Sequence, residues 1–206
     1  MAIKVIVFDF DGTLVDSNRL KYSAFFKLFP SDEFHVRIIT DVLREFFEES
    51  RYIILKEILC RIEGGKEKTL HTEIKVEKLA KKYNDIVLTE VKRCNDKPGA
   101  KKALERLHDK HKLYLSSTTA DESLKEIVKC RGWDRYFCDV FGWPKEKIFT
   151  LIEIMHRESI GPNEILVVGD GEADKVSASE VGCRFFPVNN DGLLEKLVTE
   201  AETWLK

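Results

Sequence analysis

Across its 206 residues the sequence has no glutamine, two methionines, five prolines and no apolar run as long as a membrane span. The last absence leaves no candidate transmembrane helix. Neither sign of charge dominates: 34 Lys and Arg stand against 36 Asp and Glu, for a formal net charge of −2 and a pI near 6.3. That balance offers no broad basic face, so neither nucleic acid nor a membrane surface is an expected partner. Five cysteines (Cys60, Cys94, Cys130, Cys138, Cys183) form an odd set without a CxxC, which outlines neither a disulfide framework nor a zinc site and predicts reduced thiols. No charged segment followed by an apolar stretch and a small-residue cleavage site precedes the first apolar run, so no leader is expected and the predicted location is cytoplasmic. His108 and His111 have i, i+3 spacing but sit among Asp109, Lys110 and Lys112, and read as solvated charge rather than a metal pair. What remains is ordinary: a hydrophobic content of 43% supports a sizeable core and suits one α/β domain with an insertion. The 34% charged content, mostly Lys and Glu, has the character of heat-adapted proteins.

The informative residues are Asp9-Phe10-Asp11-Gly12-Thr13, directly after the β-branched run Ile3 to Phe8. That run predicts a central strand buried on both faces of a parallel sheet, with Asp9 at its carboxyl end. Alternation sends Asp9 and Asp11 to one side and Phe10 to the core, while Gly12 permits a sharp exit. Ligands of open α/β sheets bind beyond the carboxyl ends of the strands, so the two carboxylates occupy a chemical position, although Asp also caps turns and helix starts.

Other strand signals fall at residues 112 to 116, 138 to 141, 165 to 169 and 184 to 188, with helical patterns between most of them, which is βαβ alternation. The second strand leads into Ser116-Ser117-Thr118-Thr119 and then a helix beginning near Asp121; counting back from that helix favours Ser117 over Ser116. Lys145 and Lys147 lie upstream of the fourth strand, and Lys147 opens the helical pattern Ile148 to Arg157. The fourth strand ends in Gly169-Asp170, with Asp174 four residues on from Asp170. Gly182 is placed to end a helix before the last strand, and Leu193 to Leu205 has the pattern of an amphipathic closing helix.

These segments, in this order, resemble the haloacid dehalogenase (HAD) superfamily of phosphohydrolases, in particular its phosphoglycolate phosphatase-like members: DxDGT at Asp9 to Thr13, a Ser or Thr closing the second strand, a lysine, and GDxxxD at Gly169 to Asp174. The resemblance implies a three-layer Rossmann-like parallel sheet core, residues 1–15 and 95–206, with the first and fourth strands adjacent. It implies a Mg2+-dependent phosphatase acting on a small phosphorylated metabolite, of the phosphoglycolate or sugar phosphate class. Asp9 would be the nucleophile forming an aspartyl phosphate, and Asp11 the general acid and then base. Asp9 and Asp170 would hold magnesium by their side chains, Asp11 by its backbone carbonyl, and Asp174 from behind or through water. Lys147, with Lys145 as the alternative, would neutralise the phosphoryl group. Ser117, Thr118 and nearby backbone N–H groups would bind its remaining oxygens.

Residues 16–94 carry apolar positions at helical spacing and no convincing strand, which predicts a helical insertion; in the resembled family this is a C1-type cap that excludes water from the site. Hinges are expected near Asp16 to Asn18 and Cys94 to Lys97, with a break at Gly64-Gly65 and an exposed loop at Lys66 to Lys68. Phe25, Phe26, Phe29, Phe34, Phe46 and Phe47 are expected in the core of this insertion, and Arg19, Lys21 and Arg51 on its solvated surface. Asp11 argues against a dehalogenase or a phosphonate hydrolase, whose patterns replace the second carboxylate. A β-phosphoglucomutase-like phosphotransferase and a catalytically quiet binding protein with the same fold remain alternatives. The expected assembly is a monomer or homodimer.

Overall fold

The computed structural model describes residues 2–46, 49–64, 70–188 and 193–201. In chain order, strand β1 (Val5–Phe8) is followed by helices α1 (Asn18–Phe26), α2 (Glu33–Phe46), α3 (Arg51–Ile62) and α4 (Leu70–Val91). Then come α5 (Ala100–Leu107), β2 (Lys112–Ala120), α6 (Asp121–Cys130), β3 (Asp139–Trp143) and α7 (Lys147–Glu158). The chain closes with β4 (Ile165–Gly169), α8 (Glu172–Val181), β5 (Arg184–Pro187) and α9 (Leu193–Ala201). It divides into two compact units, Met1–Ser17 with Cys94–Lys206, and Asn18–Arg93.

The first unit is a five-stranded parallel sheet in the order β3-β2-β1-β4-β5, a Rossmann-like core. Val5, Ile6, Val7 and Phe8 are all buried, because β1 has a neighbour on each edge and apolar cover on each face. On one face Val5, Val7, Tyr114, Ile165 and Val167 pack with Leu151 and Ile154 of α7 and Ala178 of α8. Each of the Val, Leu and Ile side chains among them, fully buried, contributes about 1.5–3 kcal/mol. The register pairs Phe8 with Leu115 and with Val168, so Asp9 leaves the sheet level with the ends of β2 and β4. Gly182, in the left-handed region at φ 84°, ends α8.

Two expectations for this unit change. The second strand runs on to Ala120 instead of closing at Ser116, with a register irregularity against β3 between Ser116 and Ala120. Ser117 and Thr119 tolerate the buried, extended backbone because their hydroxyls find a carboxylate partner, described below. His111 is buried, not solvated: Nδ1–H donates to the Ile3 carbonyl at 3.0 Å, and burial holds the imidazole below its ordinary pKa. The sequence signal failed there because the flanking lysines face water while His111 turns inward. Of the closing helix, residues 202–205 lie outside the described residues.

The second unit is helical among the described residues, with α1 against α2 and α4, and α3 against α2 and α4. Ala24, Phe25, Ile39, Val42, Leu43, Ile54, Leu55, Ile58 and Tyr83 form its interior. Ser50 caps α3, its hydroxyl accepting the Ile53 N–H at 3.4 Å. The aromatic expectation holds for Phe25, which packs on Tyr83 with ring centroids 4.5 Å apart, but not for Phe34, which is 55% exposed. Arg51, expected on the surface, is only 8% exposed and lies over the Tyr52 ring. Phe47, Gly65 and Lys66 to Lys68 lie outside the described residues.

Candidate active site

The loop after β1 is tightly bound to itself and to β4. The Asp9 N–H donates to the Val168 carbonyl at 2.8 Å, and the Leu14 and Val15 N–H groups both donate to the Phe10 carbonyl. Gly12 has φ 81°, a left-handed conformation that a side chain would strain, and its N–H donates to the Val15 carbonyl. Phe10 is in the core while Asp9 and Asp11 are both buried polar groups, as strand alternation requires. The outgoing and returning chains lie side by side, Asp16 N–H to the Asn95 carbonyl and Lys97 N–H to the Leu14 carbonyl.

β4 delivers Asp170, and the first turn of α8 delivers Asp174. Gly169 is required for this approach. A Cβ built on it would stand 2.3 Å from the Asp174 carboxyl carbon. One carboxylate oxygen from each of Asp9, Asp170 and Asp174 lies within 4.8 Å of the others. The Thr13 hydroxyl lies 3.0 Å from Asp170 Oδ1 and 3.3 Å from Asp9 Oδ2.

Lys147, the first residue of α7, points its ammonium between two of these carboxylates, 2.7 Å from Asp9 Oδ1 and 2.6 Å from Asp174 Oδ1. Lys145 instead pairs with Glu153 and lies 4.4 Å over the Phe141 ring. Only one of the two candidate lysines therefore meets the acidic cluster. Burial works to lower the Lys147 pKa, but Asp9 and Asp174 outweigh it and hold the ammonium charged well above its usual range. Burial raises the Asp9 pKa against the opposing pull of Lys147, with Asp170 and Asp11 adding to the rise. Asp174 is pushed up to about 7, by burial first and then by the charge on Asp9.

Three carboxylates and one ammonium sum to −2 when all are ionised, which is the charge a divalent cation cancels. The donors are hard carboxylate oxygens, the type magnesium prefers. Asp9, Asp170 and Asp174 thus fit such an ion. Asp174, expected behind the metal, stands in the same group as Asp9 and Asp170. The Asp11 carboxylate faces elsewhere: Oδ1 accepts from the Ser17 hydroxyl at 2.6 Å, and Oδ2 from Thr119 at 2.7 Å and Ser117 at 3.2 Å.

Ser117 therefore meets Asp11, while Ser116 lines a cavity of about 10 Å³ beside the acidic cluster, with Asp9, Lys147, Asp174 and Ser177, room for about one water. Thr118 is exposed, and of the two neighbouring threonines on β2 it is Thr119 whose side chain reaches Asp11. Sequence reasoning assigned no role to Ser17 or Thr119. The period of two along β2 pairs Thr119 with Ser117 and could have found it; nothing local marks Ser17.

The model of the haloacid dehalogenase-like hydrolase family matches residues 6–188. A phosphoglycolate phosphatase of Vibrio parahaemolyticus is 30% identical over 95 residues, which are 43% of this chain and 42% of that protein. The match thus spans less than half the length of that relative. Among solved structures, a haloacid dehalogenase-like hydrolase of Streptococcus pneumoniae superposes with a TM-score of 0.69 at 19% identity, covering 99% of both chains. A HAD hydrolase of Bacillus subtilis, determined bound to magnesium, gives a TM-score of 0.71 at 16% identity over 98% of this chain and 100% of that one.

Proposed function

Because the chain belongs to the haloacid dehalogenase-like hydrolase family, we propose that it is a magnesium-dependent phosphatase of small phosphorylated metabolites, of the phosphoglycolate or sugar phosphate class. The observation that carries the reading is the contact of Lys147 with both Asp9 and Asp174 at the carboxyl ends of β1 and β4. A buried carboxylate that touches an ammonium, in a cluster whose remaining −2 charge a divalent cation would cancel, can meet a dianionic ligand once that cation is held. The phosphoglycolate phosphatase match, over part of the chain, supports the substrate class.

In this reading an Asp9 oxygen attacks phosphorus, the P–O bond to the leaving group breaks, and the Asp11 carboxyl gives its proton to the departing oxygen. The product is an aspartyl phosphate and a free alcohol. Asp11, now ionised, takes a proton from water as that water attacks phosphorus, which releases inorganic phosphate and restores both carboxyls. Lys147 offsets charge on the transferring phosphoryl group throughout. Ser117 donates to one phosphoryl oxygen. Asp9, Asp170 and Asp174, with the Asp11 carbonyl, would hold Mg2+, which when bound neutralises the negative charge between nucleophile and phosphate. A cytoplasmic location fits this chemistry.

Phosphate release from p-nitrophenyl phosphate, abolished by EDTA and by Asp9→Asn, is the expected result. Failure of the purified protein to hydrolyse any member of a phosphate ester panel, at any magnesium concentration, would refute it.

A further inference from the structure

The chemistry proposed above assigns no role to Thr119, a buried hydroxyl 2.7 Å from Asp11 Oδ2. Asp11 is held at both oxygens by groups from two parts of the fold. Ser17, from the loop after β1, donates to Oδ1, while Ser117 and Thr119, two residues apart on β2, donate to Oδ2. A planar carboxyl gripped at both ends cannot turn about its Cβ–Cγ bond without losing one of these bonds. The two donors on Oδ2 are not equivalent. The Ser117 contact is the longer, at 3.2 Å, and the Ser117 oxygen also accepts the Thr119 N–H at 3.1 Å. A serine hydroxyl has one proton. When Ser117 gives that proton to a phosphoryl oxygen, it withdraws from Asp11 and Thr119 is left holding Oδ2.

We propose that Thr119 is a positioning residue for proton transfer: it keeps the Asp11 carboxyl aimed at the leaving oxygen while Ser117 serves the phosphoryl group. The inference rests on the phosphatase reading and adds to it a division of labour between two hydroxyls on one strand face. Thr119 meets the Asp11 carboxyl and is given no contact with the phosphoryl or leaving group. Its effect passes through the orientation of Asp11, and misplacing a proton donor by a fraction of an ångström weakens only the steps that use the proton.

Leaving groups that differ in their need for that proton separate this role from a structural one. p-Nitrophenolate departs without protonation, whereas phenolate leaves far more readily as phenol. Wild type, Thr119→Val and Thr119→Ser are compared by kcat/KM, which reports the first phosphoryl transfer, on p-nitrophenyl phosphate and phenyl phosphate. Thr119→Val is expected to lose roughly tenfold or more on phenyl phosphate and less than about threefold on p-nitrophenyl phosphate, with Thr119→Ser restoring the former. Thr119→Ala serves the same comparison if the valine variant does not fold. Equal losses on both esters, or no loss on either, overturn the inference while leaving the phosphatase reading intact. A wild-type protein inert toward both esters overturns the two together.

Discussion

Replacing Lys147 by methionine tests the electrostatic logic of the site most directly. The side chain is only 12% exposed, and its ammonium is hydrogen-bonded to two carboxylates that are themselves buried. Removing one partner of a buried ion pair costs about 3–5 kcal/mol, because the charge left behind has no compensation. In a chain of 206 residues that is a fall of about 6–20 °C in Tm. The loss has a definite pH dependence. Asp9 and Asp174 already have raised pKa values in the folded protein, and removal of the ammonium raises them further. A carboxyl with a raised folded pKa contributes stability that is complete below its unfolded value, near 4, and lost as pH rises through the folded value, about 7 for Asp174 in the wild type. Lys147→Met should therefore be strongly destabilised near pH 8 and much less so near pH 5, the gap growing by about 1.4 kcal/mol for each unit by which a carboxyl pKa rises. Urea unfolding of wild type and variant without magnesium, at both pH values, measures it. Lys145→Ala is the control, since that lysine pairs with Glu153 and should change neither profile. An equal loss at both pH values would refute the reasoning, because it would mean that packing and not charge holds Lys147 in place.

Gly169→Ala should drive the Asp174 carboxyl from its place, since the new methyl carbon would stand 2.3 Å from the carboxyl carbon; the expected result is a loss of about 1–3 kcal/mol in stability and at least a tenfold fall in magnesium affinity by titration calorimetry. His111 is buried as the neutral ring with Nδ1–H on the Ile3 carbonyl, and its lowered pKa makes its contribution complete above its unfolded value, near 6.5, and lost as pH falls through the folded value. The stability difference between wild type and His111→Leu should thus shrink in acid; a difference independent of pH between about 7 and 5 would contradict the buried neutral assignment.

The parts of the site legible in the sequence are those whose signal is local. An apolar strand followed by Asp9-Phe10-Asp11-Gly12-Thr13, and another ending in Gly169-Asp170, state their own geometry, because strand alternation and a glycine exit act within a few residues. The choice between Lys145 and Lys147 was only partly legible: the helical pattern favours Lys147, while spacing alone leaves Lys145 open. Both stand near the start of α7, and which one meets Asp9 depends on the direction in which that helix leaves the sheet. His111 and Arg51 misled for a related reason: a polar residue among charged neighbours reads as solvated, whereas burial is decided by what packs over it.

By itself the sequence determined the parallel α/β class, the strand that carries Asp9 and Asp11, the strand that carries Asp170, and the helical character of the segment between the first two strands. Period and composition act over a few residues and survive without tertiary context. The family resemblance already implied that β1 and β4 are neighbours, but only the tertiary structure decided that Lys147 bridges Asp9 and Asp174, and that Ser17 and Thr119 grip Asp11 from two directions. Apart from the Ser17 contact, which lies within one loop, these contacts join residues far apart in the chain, and the pairing of strands and packing of helices that create them leave no trace in any one segment.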